Sequence, residues 1–245
     1  MLRKRIRHDL SRDPDMQPKY QTSGTGSAML SNRLSWFYDF RGPRITLDTA
    51  CSSSLNALHL ACQSLDAKDS DRIKLPFCSN KSSLELRMNR PFSCHQTAYA
   101  TALITEPTAL AENDTIRAVI RATHSNQDGR TPGITQPSKS TQTVLIRETY
   151  EKTGLELGTT QFFEAHGTGT QIGDTTEAAA IHSVFGEVRT KEDPLIVGAV
   201  KSNIGHLEGA SGLASIMKTV MILENGVIPP NIDFEKVNPG IPMEE

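Results

Sequence analysis

Three short motifs hold the residues best suited to nucleophilic chemistry. Cys51 sits in Asp48-Thr49-Ala50-Cys51-Ser52-Ser53-Ser54, and His166 in Glu164-Ala165-His166-Gly167-Thr168-Gly169-Thr170. The third, Lys201-Ser202-Asn203-Ile204-Gly205-His206, offers Lys201 and His206. A thiol at the start of a helix feels the positive end of the helix dipole, which favours the thiolate and makes a better nucleophile. Neutral imidazoles can donate hydrogen bonds to a developing oxyanion or enolate. A lysine beside them can hold a nearby histidine or carboxylate in one charge state. Glycines flanking the histidines let a substrate come close to the backbone.

These residues lie far apart in the chain, so the fold has to assemble them. Ile45–Ala50 reads as a short strand running into the Cys51 turn. Leu55, Leu58, Ala61, Cys62 and Leu65 then recur at helical spacing, with the serines as N-caps. Further on, strand-like and helical patterns alternate. Strands are expected at Thr115–Thr123, Gln161–Ala165 and Leu195–Val200. Helices are expected from Pro137 to Lys152, from the capping box Asp174-Thr175-Thr176-Glu177 to Phe185, and from Gly209 to Asn225. Such alternation predicts βαβ units and a mostly parallel sheet. In that arrangement the carboxyl ends of the strands share one edge, where a cysteine and two histidines can converge. The stretch from Arg72 to Ala111 fits neither period.

Composition narrows the class. The 245 residues include 37% hydrophobic and 22% charged, compatible with a packed core. A net charge of -2 gives no electrostatic reason to expect nucleic acid or an anionic membrane as partner. There is no apolar run long enough to span a bilayer, and the basic N-terminus lacks the apolar region of a signal peptide, so a cytoplasmic protein is expected. The four cysteines (Cys51, Cys62, Cys78 and Cys94) read as free thiols, and no spacing suggests a structural metal. The run GTGTQIGD lacks the lysine and glycine spacing of a nucleotide loop.

With the motifs in view, DTACSSSL, EAHGTGT and KSNIGHLEGASG resemble the three active-site motifs of β-ketoacyl synthases, in the family's order. GTGSAMLSNRLSWFYDFRGPRITLDTACSSSLNALHLACQSL, IRATHSNQDGRTPGITQPS and GVIPPNIDFEKVNP resemble the condensing domain of fungal-type iterative polyketide synthases. The resemblance implies a thiolase-like α/β fold, two βαβαβ halves packed back to back, here incomplete. It implies that Cys51 accepts an acyl group from the phosphopantetheine arm of an acyl-carrier protein. His166 and His206 would assist decarboxylation of a malonyl-carrier thioester and stabilise the enolate. Lys201 would support them, and the Cys51 backbone N–H would form part of the oxyanion hole. No bound cofactor or metal is implied, and a homodimer is.

Residues 20–245 are accordingly read as a partial β-ketoacyl synthase domain, with 1–19 unassigned. Within it, 72–113 is atypical, because the family's buried strand and glycine-rich segment are not recognisable there. A frameshift or a retained intron would produce such a break, and the chain is then a fragmentary or mis-spliced product. The alternative to a working enzyme is a catalytically inactive remnant of the same fold. Other residues have plainer expectations. Cys62, Met217 and Met221 read as core, and His59, His124 and His182 as structural. Thr168 and Thr170 read equally as lining of a pantetheine path or as turn residues. Cys78 and Cys94 receive no role.

Overall fold

The computed structural model describes residues 20, 23–24, 26–78 and 98–241. Seven helices and four strands are used below, in chain order. They are α1 (Met29–Phe37), α2 (Ser53–Asp66), β1 (Arg72–Cys78), β2 (Ala98–Ile104), α3 (Glu106–Ala111), α4 (Lys139–Thr153), β3 (Phe162–Glu164), α5 (Gln171–Phe185), β4 (Ile196–Gly198), α6 (Lys201–Ile204) and α7 (Ser211–Asn225). Cys94 and part of 72–113 lie outside the described residues.

The second half follows the expected βαβ logic. β3 and β4 pair in parallel, Phe162 opposite Ile196 and Glu164 opposite Gly198, with α5 as the crossover between them. The apolar side of α5 (Ile181, Val184 and Phe185) is buried against Ile146 and Tyr150 of α4, Phe163 of β3, Leu157 and Leu195. Phe185 makes edge-to-face contacts with both Tyr150 and Phe163. The ends of α4 are set by local chemistry. The Ser138 hydroxyl accepts from Thr141 N, and Gly154 closes the helix in the left-handed conformation that a glycine adopts without strain.

A second cluster centres on α2. Leu58 and Ala61 pack on Leu75 of β1, joined by Cys62, Ile73, Leu103 of β2 and Ile216 of α7. Cys62 is thus a half-buried apolar contact, and burial pushes its thiol pKa up. The stretch without a period does form strands: β1 and β2 pair antiparallel, Arg72 opposite Ile104 and Cys78 opposite Ala98. Ile73 and Leu75 alternate toward α2, but Pro76 interrupts the pattern before it is long enough to register. This antiparallel pair departs from the mostly parallel expectation.

Five other expectations change. Ile45–Ala50 and Thr115–Thr123 form no strand, since neither finds a ladder partner among the described residues. Only an isolated bridge involves Thr49 and Cys51. α5 begins at Gln171, so Asp174–Glu177 lies inside the helix and does not open it. α7 begins at Ser211, after a single 3-10 turn at Glu208–Ala210. Met217 and Met221 are exposed rather than core, because α7 turns Ser211, Gly212, Leu213 and Ala214 inward instead.

Candidate active site

The Cys51 turn is stitched by its own polar side chains. Asp48 Oδ1 accepts from Ala50 N (3.1 Å), and Ser53 Oγ accepts from Thr49 N (2.8 Å) while donating to Ala50 O (2.7 Å). Ser52 Oγ donates to Thr49 O (2.8 Å). The serines therefore fasten the incoming segment instead of capping α2, whose N-cap residue Ser52 makes no side-chain cap. Ala50 holds φ 56°, a left-handed conformation that costs a Cβ-bearing residue about 1–2 kcal/mol. Two residues ahead of α2, Cys51 leaves this tight turn half-buried.

The His166 loop hangs from the end of β3. Ala165 N donates to Gly198 O (2.8 Å), the last rung toward β4. Beyond it one carboxylate takes over: Glu177 Oε1 accepts from His166 N (2.6 Å) and Oε2 from Gly167 N (2.9 Å). Asp174 Oδ1 accepts from Gly169 N (3.2 Å). Gly167 needs to be glycine twice over. Its φ is 46°, and a Cβ there would lie 2.5 Å from the Ala199 Cβ. Thr168 and Thr170 lie in the same turn with their hydroxyls 3.3 Å apart.

The third motif is fixed by Glu164. Its Oε1 accepts from Val200 N (2.6 Å), next to Lys201, and its Oε2 pairs with Lys218 of α7 at 2.8 Å. Both members of that ion pair are buried, with side chains 7% and 9% exposed. Lys218 also sits over the Phe162 ring, 5.1 Å from its centre. Glu164 thus joins β3, the start of α6 where Lys201 sits, and α7. His206 is held by two groups: Glu208 N (3.1 Å) and Ser211 Oγ (2.6 Å) both meet its Nδ1.

The expected residues converge. A thiol sulfur of Cys51 and ring nitrogens of His166 and His206 all lie within 4.8 Å of one another. The two imidazoles meet edge to face, centroids 5.6 Å apart and planes at 90°. Lys201 is buried, 9% exposed, and its charge acts on both rings. Burial first, then the Lys201 ammonium and His206, pull the His166 pKa down to about 4. His206 is lowered in the same direction, by burial and then Lys201, against the opposing pull of Glu208. Burial also lowers Lys201, while Glu164, Glu177 and Cys51 resist it. Both imidazoles are therefore neutral at neutral pH, the state in which they can act as hydrogen-bond donors without a competing charge.

Cys51, His166 and His206 are also the one set of donors among the described residues close enough to share a metal ion, although the Lys201 charge opposes a divalent cation there. A cavity of about 240 Å³, lined by Ser27, Asn32, Arg44 and Thr46 among others, includes none of the four site residues. His124 pairs with Glu148 (2.9 Å), and His59 bonds to Thr123 (2.8 Å), both consistent with structural roles. Glu164, Glu177, Lys218 and Ser211 make contacts around the site that the sequence did not reveal. Glu177 was legible only as a capping-box residue, although its carboxylate sits eleven residues beyond His166, on the helix that follows it.

A tight turn presenting Cys51 to two neutral histidines and a buried lysine is the arrangement expected of a condensing-enzyme class of site. Residues 5–73 match the family described as Beta-ketoacyl synthase, N-terminal domain, and residues 117–235 match Beta-ketoacyl synthase, C-terminal domain. The chain belongs to the β-ketoacyl synthase family. It is 50% identical over 253 residues to the highly reducing polyketide synthase alnA of Emericella nidulans, covering 95% of this chain and 10% of that protein. It is 51% identical, over the same shares, to the reducing polyketide synthase FUB1 of Gibberella moniliformis. Among solved structures, a ketosynthase from module 6 of the bacillaene synthase of Bacillus subtilis 168 superposes with TM-score 0.80 at 33% identity, covering 92% of this chain and 42% of that one. Ketosynthase twelve of the bacillaene polyketide synthase of Bacillus amyloliquefaciens gives TM-score 0.80 at 26% identity, covering 94% and 46%. The fold is therefore the thiolase-like fold of ketosynthase domains, present in part. The chain spans about a tenth of the length of the curated relatives it matches.

Proposed function

We propose that this chain carries the condensing centre of a polyketide synthase. The Cys51 sulfur attacks the thioester carbonyl of an acyl-carrier protein's phosphopantetheine arm. The acyl–sulfur bond to the carrier breaks, and the carrier thiol leaves with the proton. A malonyl-carrier thioester then loses carbon dioxide, and its enolate carbon attacks the Cys51 thioester carbonyl. A carbon–carbon bond forms as the bond between the acyl carbon and Cys51 Sγ breaks, which frees the Cys51 thiolate, and the β-ketoacyl chain leaves on the carrier. His166 and His206 donate to the thioester oxygen where negative charge gathers during decarboxylation, and the Cys51 N–H donates to the oxygen of the acyl group under attack. Burial first, and then the Lys201 charge, keeps both imidazoles neutral. The carrier domain is the partner, and a second copy of the domain completes a homodimer. The convergence of Sγ and two ring nitrogens within 4.8 Å carries this reading.

Incubation with an acyl thioester followed by intact mass tests the first step. A single acyl adduct that disappears in Cys51→Ala is expected; an adduct that persists in that variant would overturn the assignment. Condensation with malonyl-carrier thioester is assayed separately, because one observation favours a non-catalytic remnant. The family matches stop at residue 73 and resume at 117. We read the intervening stretch as sequence introduced by a frameshift or retained intron. Acylation without condensation is the result that supports the remnant, and an uninterrupted, in-frame transcript encoding an active chain would exclude the frameshift.

A further inference from the structure

His206 is fixed by two donors at one nitrogen, and only one of them belongs to the backbone. A peptide N–H can only donate, so the Glu208 N–H at 3.1 Å requires a lone pair on Nδ1. The neutral ring then carries its proton on Nε2. The Ser211 hydroxyl, 2.6 Å from the same Nδ1, must in that state donate as well. Ser211 is 2% exposed, so no water competes freely for its hydroxyl. The backbone contact on its own is a poor clamp. Glu208 holds φ 51°, a strained left-handed residue in a 3-10 turn. Ser211, by contrast, is the first residue of a fifteen-residue helix whose next three residues are all buried.

From this geometry we propose that Ser211 is a positioning residue for His206. Donating to Nδ1 beside the Glu208 N–H, its hydroxyl reinforces the Nε2–H tautomer that the peptide group sets and fixes the ring plane, leaving Nε2–H as the group presented to Cys51 and His166. Rotation of the ring by a half turn would exchange Nδ1 for a C–H position and forfeit the Ser211 bond. In the catalytic use of the site, which rests on the condensing reading, the same bond preorganises a donor for the developing enolate.

The test separates tautomer from catalysis. Ring-nitrogen NMR on histidine-labelled protein reads the His206 tautomer directly, whether or not the chain condenses anything. In the unsubstituted protein Nδ1 should give the unprotonated signal. In Ser211→Ala the His206 signals should move toward a mixture of tautomers, with Ser211→Thr restoring the single form. Where condensation is measurable, kcat should fall about tenfold in Ser211→Ala with KM unchanged, the size expected for one buried hydrogen bond. The rate of Cys51 acylation should stay within about twofold of the parent. An unchanged tautomer in Ser211→Ala that retains its thermal transition overturns the proposal. Failure of Cys51 to acylate in the unsubstituted protein overturns the condensing reading instead and leaves the tautomer result standing.

Discussion

At Cys51 and its two histidines, reactivity depends on which groups stay uncharged. His166 takes up a proton near pH 6.5 in an unfolded chain, but only at about 4 in the fold, and His206 is lowered too. Between those values the unfolded chain binds protons that the folded chain refuses. Stability should therefore be fullest above the ordinary histidine range and decline as pH falls from about 6.5 toward 4. Because His166 keeps one face open to solvent, the decline is shallow. Urea unfolding at a series of pH values checks this, and His166→Gln should flatten the slope. The four chemical residues were legible because each sits in a motif whose side chains act locally, as Asp48 and Ser53 do in the Cys51 turn. Glu177 and Ser211 were not, because their roles exist only after a helix has been laid beside a loop.

Among the elements, β3, β4 and α7 depend on one another through the Glu164–Lys218 pair. Removing one partner of a buried pair leaves the other charge uncompensated, so Lys218→Met should cost about 3–5 kcal/mol. Adding Glu164→Gln to it should cost less than the two single changes summed, as measured by a double-mutant cycle in denaturant. α7 also meets α2 too closely for any side chain at Gly212, where a Cβ would lie 2.4 Å from Leu55 Cγ and 2.8 Å from Ser54 Oγ. Gly212→Ala should destabilise by about 1–3 kcal/mol, with acylation reduced because both neighbours lie in the first turn of the helix that follows Cys51. Helix positions were readable from periodicity, and α4 and α7 lie within two residues of expectation. Strands were harder to find. Ile45–Ala50 has the composition of a strand, but a strand needs a neighbour as well as a suitable sequence. Pro76 hid the alternation of β1 in the same stretch where the family resemblance breaks off.

Across the whole molecule, apolar surface is left uncovered. Trp36 is 82% exposed and Phe37 73%, and Tyr38, Val197, Met221 and Leu223 are also open to solvent. Exposed apolar side chains of this kind, with a parallel sheet that has only two strands among the described residues, favour association. Purified chain should self-associate at micromolar concentration in sedimentation velocity and should bind a hydrophobic dye. A monomer with a cooperative, high-melting transition would count against this. The class of fold was legible from the order of motifs; the extent of uncovered surface was not, since it depends on which parts of a ketosynthase domain are present. No helix among the described residues is long and apolar enough to cross a membrane.

The strained Ala50 has a consequence for any attempt to improve this protein. Glycine adopts φ 56° without penalty, so Ala50→Gly should remove strain, although it also loosens the unfolded chain. The net gain in stability is at most about 1 kcal/mol, and it would come from slackening the one turn that aims Cys51. A screen that rewards heat resistance alone would therefore accumulate changes at the nucleophile's doorstep and pass over the loss of rate. Selection on both properties together should keep alanine there.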